Sequence, residues 1–269
     1  MDKEENIRII EDIIDNGFYY FEGEKKRLKL NKRKMKKCLV FLPEKVEKKR
    51  KKRKKLTEEK KEYNYQTENM DPFSIAQKEA EEGKEKILVL SAADTLVPGG
   101  NAREGTNEQD LCRRSTLIKS LGSRRAKKYY EYSKGLRSFL YSDAVIISPN
   151  VEVFKDSKGD PLTESFIVAV ISCTPPGLKK QPLSRPGYEN IMTNRIDGIL
   201  TIAEDMGYKN LILGAWGCGV FGGGPETVSR IFRKELDTFS SFVSVTFAIP
   251  DKDGTDHSEF AKRFPEAGS

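Results

Sequence analysis

The stretch NLILGAWGCGVFGGGPETVSRIFRKEL, residues 210–236, decides the fold class. It opens on an apolar run that reads as a buried strand and closes on an amphipathic helix over residues 225–236. Between them, from Gly214 to Gly224, lie six glycines in eleven residues. A buried strand feeding a turn and then a helix is the repeating unit of a parallel sheet covered by helices. Pro225 suits the first helical position, where no intrahelical bond is lost. A turn this rich in glycine lets backbone N–H groups approach an anion without interference from Cβ atoms. The helix N-terminus behind it adds roughly half a positive charge, so the expected ligand is a phosphate or diphosphate. The pattern is neither GxGxxG nor GxxxxGK[ST], which gives little support to a dinucleotide-binding Rossmann site or a Walker-type ATPase.

The same alternation extends outward. KILVLSA, AVIIS, FIVAVIS and FVSVTFAI are apolar runs expected as buried strands, and ENIMTNRIDGILTIAEDMG reads as a long helix. PFSIAQKEAEEG reads as a helix ending on Gly83, and EQDLCRRSTLIKSL as one helix with Leu111, Ser115, Ile118 and Leu121 facing inward. The expected fold is therefore α/β, a three-layer α/β/α sandwich around a mixed, mainly parallel sheet. Residues 71–269 would form that domain. Residues 1–70 read as an N-terminal extension: a short helix at residues 7–14, a hairpin or arm in GFYYFEGEKKRLKL, and a lysine-rich insert. The insert carries KKRKKRKK, eight consecutive basic residues from Lys48 to Lys55, and then LTEEKKEYNYQTENM. It is expected as a solvated linker, or as a contact for nucleic acid or another polyanion.

Composition narrows the chemistry. A formal net charge of +7 favours anionic partners through long-range attraction. The single histidine, His257, leaves a Ser-His-Asp triad or a histidine-rich metal site almost nothing to be built from. Cys38, Cys112, Cys173 and Cys218 form no CxxC pair, so neither a structural zinc site nor a disulfide framework is expected. No cofactor is called for. No run approaches the roughly 20 apolar residues of a membrane span. MDKEENIRII lacks the basic-then-apolar order of a signal peptide, and an intracellular, cytoplasmic protein is the expectation, nuclear if the source is eukaryotic.

A second strand-to-helix loop, SAADTLVPGGNAREGTNEQDLCRRS, follows the strand KILVLSA. Ligands of such sheets sit beyond the carboxyl ends of the strands, where both loops lie. Pro98-Gly99-Gly100-Asn101 gives a sharp turn. Asp94, Asn101, Asn107, Glu108 and Gln109 supply polar groups able to bond ribose hydroxyls, and Thr106 or Asn107 could cap the following helix.

At these residues the chain resembles the macrodomains, and more closely the bacterial type of poly(ADP-ribose) glycohydrolase. That family carries a Pro-Gly-Gly-Gly turn, a spacer, and Gln-Glu-Glu leading into a Leu-Cys-Arg-like helix. Here the counterparts are Pro98-Gly99-Gly100-Asn101 and Asn107-Glu108-Gln109-Asp110-Leu111-Cys112-Arg113. The family's second loop, a glycine-rich turn ending in Val-Phe, is matched by residues 214–221.

The resemblance implies an ADP-ribose-binding domain. Gly217, Cys218, Gly219, Val220 and Phe221 would wrap the diphosphate, with Phe221 against the distal ribose. Gly99, Gly100 and Asn101 would line the cleft around the diphosphate and adjoining ribose, and Asp94 would contact substrate. Family chemistry is hydrolysis of an O-glycosidic ribose–ribose bond, with the second glutamate of the motif as proton donor. Alignment on Leu111-Cys112-Arg113 puts Gln109 at that position, and an amide cannot shuttle a proton. Three readings stand: a glycohydrolase that uses Glu108, a non-catalytic ADP-ribose reader or degenerate enzyme, and a polyanion- or RNA-associated scaffold.

Overall fold

The alternating pattern builds a sheet with helices on both faces. The structure, a computed structural model, describes residues 3–53, 64–100, 106–251 and 253–265. The chain begins with helix α1 (Lys3–Asn16), the hairpin β1 (Phe18–Phe21) and β2 (Glu24–Arg27), the single turn α2 (Lys32–Met35), strand β3 (Leu39–Phe41) and helix α3 (Pro43–Lys52). Next come β4 (Asn64–Glu68), α4 (Pro72–Glu81), β5 (Ile87–Ala92), α5 (Asn107–Arg114), α6 (Leu117–Leu121) and α7 (Lys127–Lys134). The long hairpin β6 (Val145–Lys155) and β7 (Pro161–Cys173) leads to α8 (Arg185–Asp205), β8 (Asn210–Leu213), α9 (Pro225–Leu236), β9 (Ser244–Ala248) and α10 (Thr255–Arg263).

Seven strands form one sheet in the order β3-β6-β7-β5-β8-β9-β4. The pairings β7–β5, β5–β8, β8–β9 and β9–β4 are parallel, and those of β3 with β6 and of β6 with β7 are antiparallel. The side chains of β5 show why an unbroken apolar run was needed. Leu88 and Leu90 join a core with α8, α9 and α10, while Ile87 and Val89 join a second core with α4, α5 and α7. A third, smaller cluster seats Ile10 and Ile14 of α1 on Tyr19 and Phe154. The buried carboxylate of Glu152 ties down the following arm, accepting from the N–H of Lys29 (2.7 Å) and Leu30 (2.9 Å) and from the Ser165 hydroxyl (2.6 Å). Among the described residues, no helix is long and apolar enough to cross a membrane.

Three expectations need correction. The basic segment from Lys48 onward is not a free linker as far as Arg53. It closes α3, whose Val46 is buried against α8. Arg50 and Arg53 both grip Asp197, each at 2.8 Å, and the Arg53 guanidinium lies 3.7 Å from the Phe239 ring centre. Gly198 permits this approach, since a Cβ there would stand 2.7 Å from Val46 Cγ1. Lys54 and Lys55 lie outside the described residues. Within the segment read as an acid-rich spacer, residues 64–68 are a strand, β4, at one margin of the sheet. The sheet thus draws strands from both sides of residue 70.

Residues 108–121 are also two helices and not one. The chain breaks at Ser115, which forms an isolated bridge with Val153, and the Thr116 N–H donates to the Glu152 carbonyl. Ser115 and Thr116 are thereby drawn out of helical geometry by the neighbouring strand. Leu111, Ser115 and Leu121 are buried as expected, and Ile118 is partly covered.

Candidate active site

Because β4, β5, β7, β8 and β9 run the same way, their carboxyl ends meet at one margin, and a cleft of about 610 Å³ opens there. Its walls come from the two loops singled out in the sequence: Asp94, Thr95, Thr106, Asn107 and Glu108 from the first, and residues 214–218 with Val220 and Phe221 from the second. Tyr141, Thr174, Pro250, Asp251 and Asp256 complete the opening.

The first loop is organised by side-chain oxygens. Thr106 caps α5, its hydroxyl accepting from the Gln109 N–H at 3.4 Å. That start aims Glu108, one residue into the helix, inward. The carboxylate accepts from the Gly99 N–H (2.9 Å) and the Asp94 N–H (3.2 Å) while only 1% exposed. Burial pushes its pKa up to about 8, opposed by the Gly99 amide bond and reinforced by the charge of Asp94. Asp94 Oδ1 accepts from the N–H groups of Leu96 (2.7 Å) and Val97 (2.8 Å), and Asn107 Oδ1 from that of Ala92 (2.9 Å).

Gly99 and Gly100 both have φ of +77°. They do not line the cleft. Gly99 packs so closely on α6 that a Cβ would come within 2.9 Å of Ile118 Cδ1, and its amide holds Glu108. Asn101 lies outside the described residues. Gln109 is half-buried and absent from the cleft wall, so of the two motif positions it is Glu108 that faces the opening.

The second loop is organised by its own backbone. Gly223 N–H donates to the Gly217 carbonyl (2.9 Å), Cys218 N–H to Ala215 (3.0 Å), and Phe221 N–H to Cys218 (3.3 Å), closing a single 3-10 turn over residues 219–221. Among the described residues, the N–H groups of Gly217, Gly219 and Val220 have no internal acceptor. The glycines are sterically required. A Cβ on Gly223 would stand 2.1 Å from the Tyr188 hydroxyl, and Gly217 (φ +102°) sits directly on Met192. Phe221 is partly buried at the wall and does not plug the core, and Val220 is 80% exposed. One part of the expected cradle moves: the wall ends at Phe221, and the α9 N-terminus is not part of it.

Sequence reasoning overlooked the far wall. Trp216 is fixed by its indole N–H to the Cys173 carbonyl (3.1 Å), and Thr174 by bonds to the Tyr129 hydroxyl and Ala93 carbonyl (both 2.9 Å). Arg195 of α8, 3% exposed, donates to Asp143, the Thr174 carbonyl and the Leu140 carbonyl, and so fixes the turn carrying Tyr141. Asp251 gathers the N–H groups of Asp253, Asp256 and His257. Burial and the Asp251 charge raise the carboxyl of its neighbour Asp256. No lysine, arginine or histidine lines the cleft among the described residues. An anion entering it would meet backbone amides and not cations.

The catalytic-domain model of the microbial-type PARG family matches residues 8–156. No curated protein matches the chain. Among solved structures it is similar to the poly(ADP-ribose) glycohydrolase (PARG) of Thermomonospora curvata, with 25% identity over 97% of this chain and 99% of that one and a TM-score of 0.89. The same enzyme bound to the inhibitor ADP-HPD gives a TM-score of 0.87 at the same identity and coverage. The PARG of Deinococcus radiodurans in complex with ADP-ribose is 30% identical over 88% of this chain and 98% of that one, with a TM-score of 0.74. With the family match spanning more than half of its length, the chain belongs to the microbial-type poly(ADP-ribose) glycohydrolase catalytic-domain family.

Proposed function

We propose that the cleft binds ADP-ribose and hydrolyses O-glycosidic ADP-ribose linkages, with Glu108 as the proton donor. The observation that carries this reading is a buried glutamate, its carboxyl pKa raised by desolvation, at the wall of a cleft whose opposite loop has amides without an internal acceptor. Gly217, Cys218, Gly219 and Val220 would receive the diphosphate, and Phe221 would pack on the distal ribose. Asp94 and Asn107, at the wall beside Glu108, would meet ribose hydroxyls. In the chemical step Glu108 gives its proton to the leaving ribose oxygen as the C–O bond breaks. Water then adds to the oxocarbenium-like centre and returns a proton to the carboxylate.

A binding-only reading draws on one observation: Gln109 stands where the family motif has its second glutamate, and its amide has no proton to give. Release of ADP-ribose from automodified polymer separates the two. Release by the wild type, abolished in Glu108→Ala while ADP-ribose still binds, supports the hydrolase. An inert wild type that gains release as Gln109→Glu supports the reader.

The lysine-rich segment supports a second contact. Lys45, Lys48 and Lys52 of α3 are exposed and form no ion pair among the described residues, which suits a polyanion such as nucleic acid. The four free, buried cysteines suit a reducing intracellular compartment.

A further inference from the structure

One peptide bond connects Glu108 to the interior of the protein. It joins Ala93 to Asp94, just past the end of β5. Its N–H, that of Asp94, donates to Glu108 Oε2 (3.2 Å). Its carbonyl, that of Ala93, accepts from the hydroxyl of Thr174, the residue after β7 (2.9 Å). Thr174 Oγ1 also lies 2.9 Å from the hydroxyl of Tyr129 in α7. A threonine hydroxyl has one proton and a carbonyl can only accept, so the phenol is the donor in that second bond. The result is a one-way chain. Tyr129 donates to Thr174, Thr174 donates to the Ala93–Asp94 peptide, and the N–H of that peptide donates to the carboxyl.

Tyr129, Thr174, Ala93 and Glu108 are all buried. At low dielectric, linked hydrogen bonds polarise one another, and a hydroxyl drawing on a carbonyl makes the N–H of the same peptide a better donor. Both strand ends that frame the chain are pinned separately. Arg195 Nη1 donates to the Thr174 carbonyl (2.8 Å), and the Ala93 N–H donates to the Cys173 carbonyl (3.0 Å). Thr174 belongs to the cleft wall, whereas Tyr129 does not. The next residue of α7 supplies a contrast. Tyr130 is also buried, its ring meeting that of Tyr129 edge-on at 5.2 Å, yet its hydroxyl has no hydrogen-bond partner among the described residues.

We infer that Tyr129 and Thr174 are positioning residues for the hydrolysis: through the Ala93–Asp94 peptide they fix the direction of the Glu108 carboxyl and the strength with which the Asp94 amide holds it. This rests on the reading that Glu108 is the proton donor. Without the threonine hydroxyl the peptide loses the bond that orients it, and its N–H holds the carboxyl less well. An N–H bond favours the ionised carboxyl, so a weaker one raises its proton affinity. The titratable groups facing Glu108 are Asp94 of the same loop, Cys112 of α5, and Tyr129 and Tyr130 of α7. Burial pushes the thiol and both phenols up. Arg195 of α8 stands beyond Tyr129 as the one cation of the group.

Release of ADP-ribose from automodified polymer by the full chain, followed from neutral to alkaline pH, tests the inference. Calorimetric titration with free ADP-ribose sets the active fraction of each variant. Thr174→Val keeps the shape of the side chain and removes the hydroxyl. It should lower kcat by up to about 10²-fold, with the smaller change in KM, and move the alkaline fall in rate to higher pH. Tyr129→Phe should act in the same direction by about three- to tenfold, as expected for one hydrogen bond. Thr174→Ser should restore both the rate and the pH profile. Tyr130→Phe removes a buried hydroxyl that has no partner, and should match the wild type in both. A merely structural role would lower the active fraction, or the rate equally at every pH, and leave the alkaline fall in place. That result would overturn the inference, as would equal losses in Tyr129→Phe and Tyr130→Phe. Should Thr174→Val fail to fold, Tyr129→Phe decides, because Tyr129 lies outside the cleft wall. If the wild type releases nothing, or Glu108→Gln releases ADP-ribose as fast as the wild type, the donor assignment falls and the positioning role falls with it. An inactive Glu108→Gln beside unchanged Thr174→Val and Tyr129→Phe removes the positioning role alone.

Discussion

The two loops that face each other across the cleft are built on opposite principles. The loop after β5 is held by side-chain oxygens: Glu108 binds two of its amides and Asp94 two more, while Asn107 binds that of Ala92 at the end of β5. The loop after β8 is held by its own carbonyls and by contact with Tyr188 and Met192, and some of its amides stay free. One loop spends its amides on a carboxyl, and the other leaves those of Gly217, Gly219 and Val220 without an internal acceptor among the described residues. The first should therefore respond to protonation and to single polar substitutions, and the second to any added atom.

The largest effect expected is on turnover. Glu108→Gln keeps the shape of the side chain and an oxygen acceptor but has no proton to give, so release of ADP-ribose from polymer should fall by about 10² to 10⁴. Next is Gly223→Ala, which drives a methyl group into the Tyr188 hydroxyl and the Gly217 carbonyl, 2.1 and 2.6 Å away. Denaturant titration should show a loss of about 1–3 kcal/mol. Equal stability in that variant would mean the second loop is softer than its contacts imply.

The pH dependence sharpens the contrast. In the unfolded chain Glu108 ionises near its ordinary 4.5, and in the fold near 8, through burial first and the Asp94 charge after it. Between those values the unfolded state binds fewer protons, so this group makes stability fall as pH rises, levelling off past 8. Glu108→Gln should remove that slope. Turnover in the wild type should drop about tenfold per pH unit above 8 as the donor ionises. A rate flat to pH 9.5 would rule out Glu108 as the donor. The smallest effect on folding is expected from Gly219→Ala. No atom lies within 4 Å of the added Cβ, and only the left-handed φ of +60° opposes it, at about 1 kcal/mol. Its ADP-ribose affinity should nevertheless fall, because the methyl group would stand beside the amides proposed to receive the diphosphate.

What the sequence made legible follows from how strongly each feature was over-determined. The strands β5, β8 and β9 and the second half of β7, residues 168–173, are covered on both faces and had to be apolar runs. Likewise α9 begins on Pro225 and α4 follows the capping Asp71, and both signals are local. The margins were not legible. In β4, NYQTE has one buried residue, and in β3, LVF has three residues, so neither carries a pattern apart from its partner strand. The break at Ser115 depends on β6, and the anchoring of Arg50 and Arg53 on an aspartate in α8, neither of which a lysine-rich string can reveal. At the site, the glycine loops and the Asn-Glu-Gln motif were readable. That Glu108 and not Gln109 faces the cleft follows from the Thr106 cap, which sets the rotation of α5.

Both margins of the sheet come from the first quarter of the chain. Strand β3 shields β6 on one side, and β4 shields β9 on the other, where Asn64 aligns with Ser244. During synthesis these outer strands emerge first, while the last of their partners emerges near the end, so the module cannot be sealed until translation is almost complete. A version shortened to begin at residue 71 would leave the backbone of β6 and β9 uncovered on both flanks, and it should gather into aggregates even though every cleft residue named above is still in place.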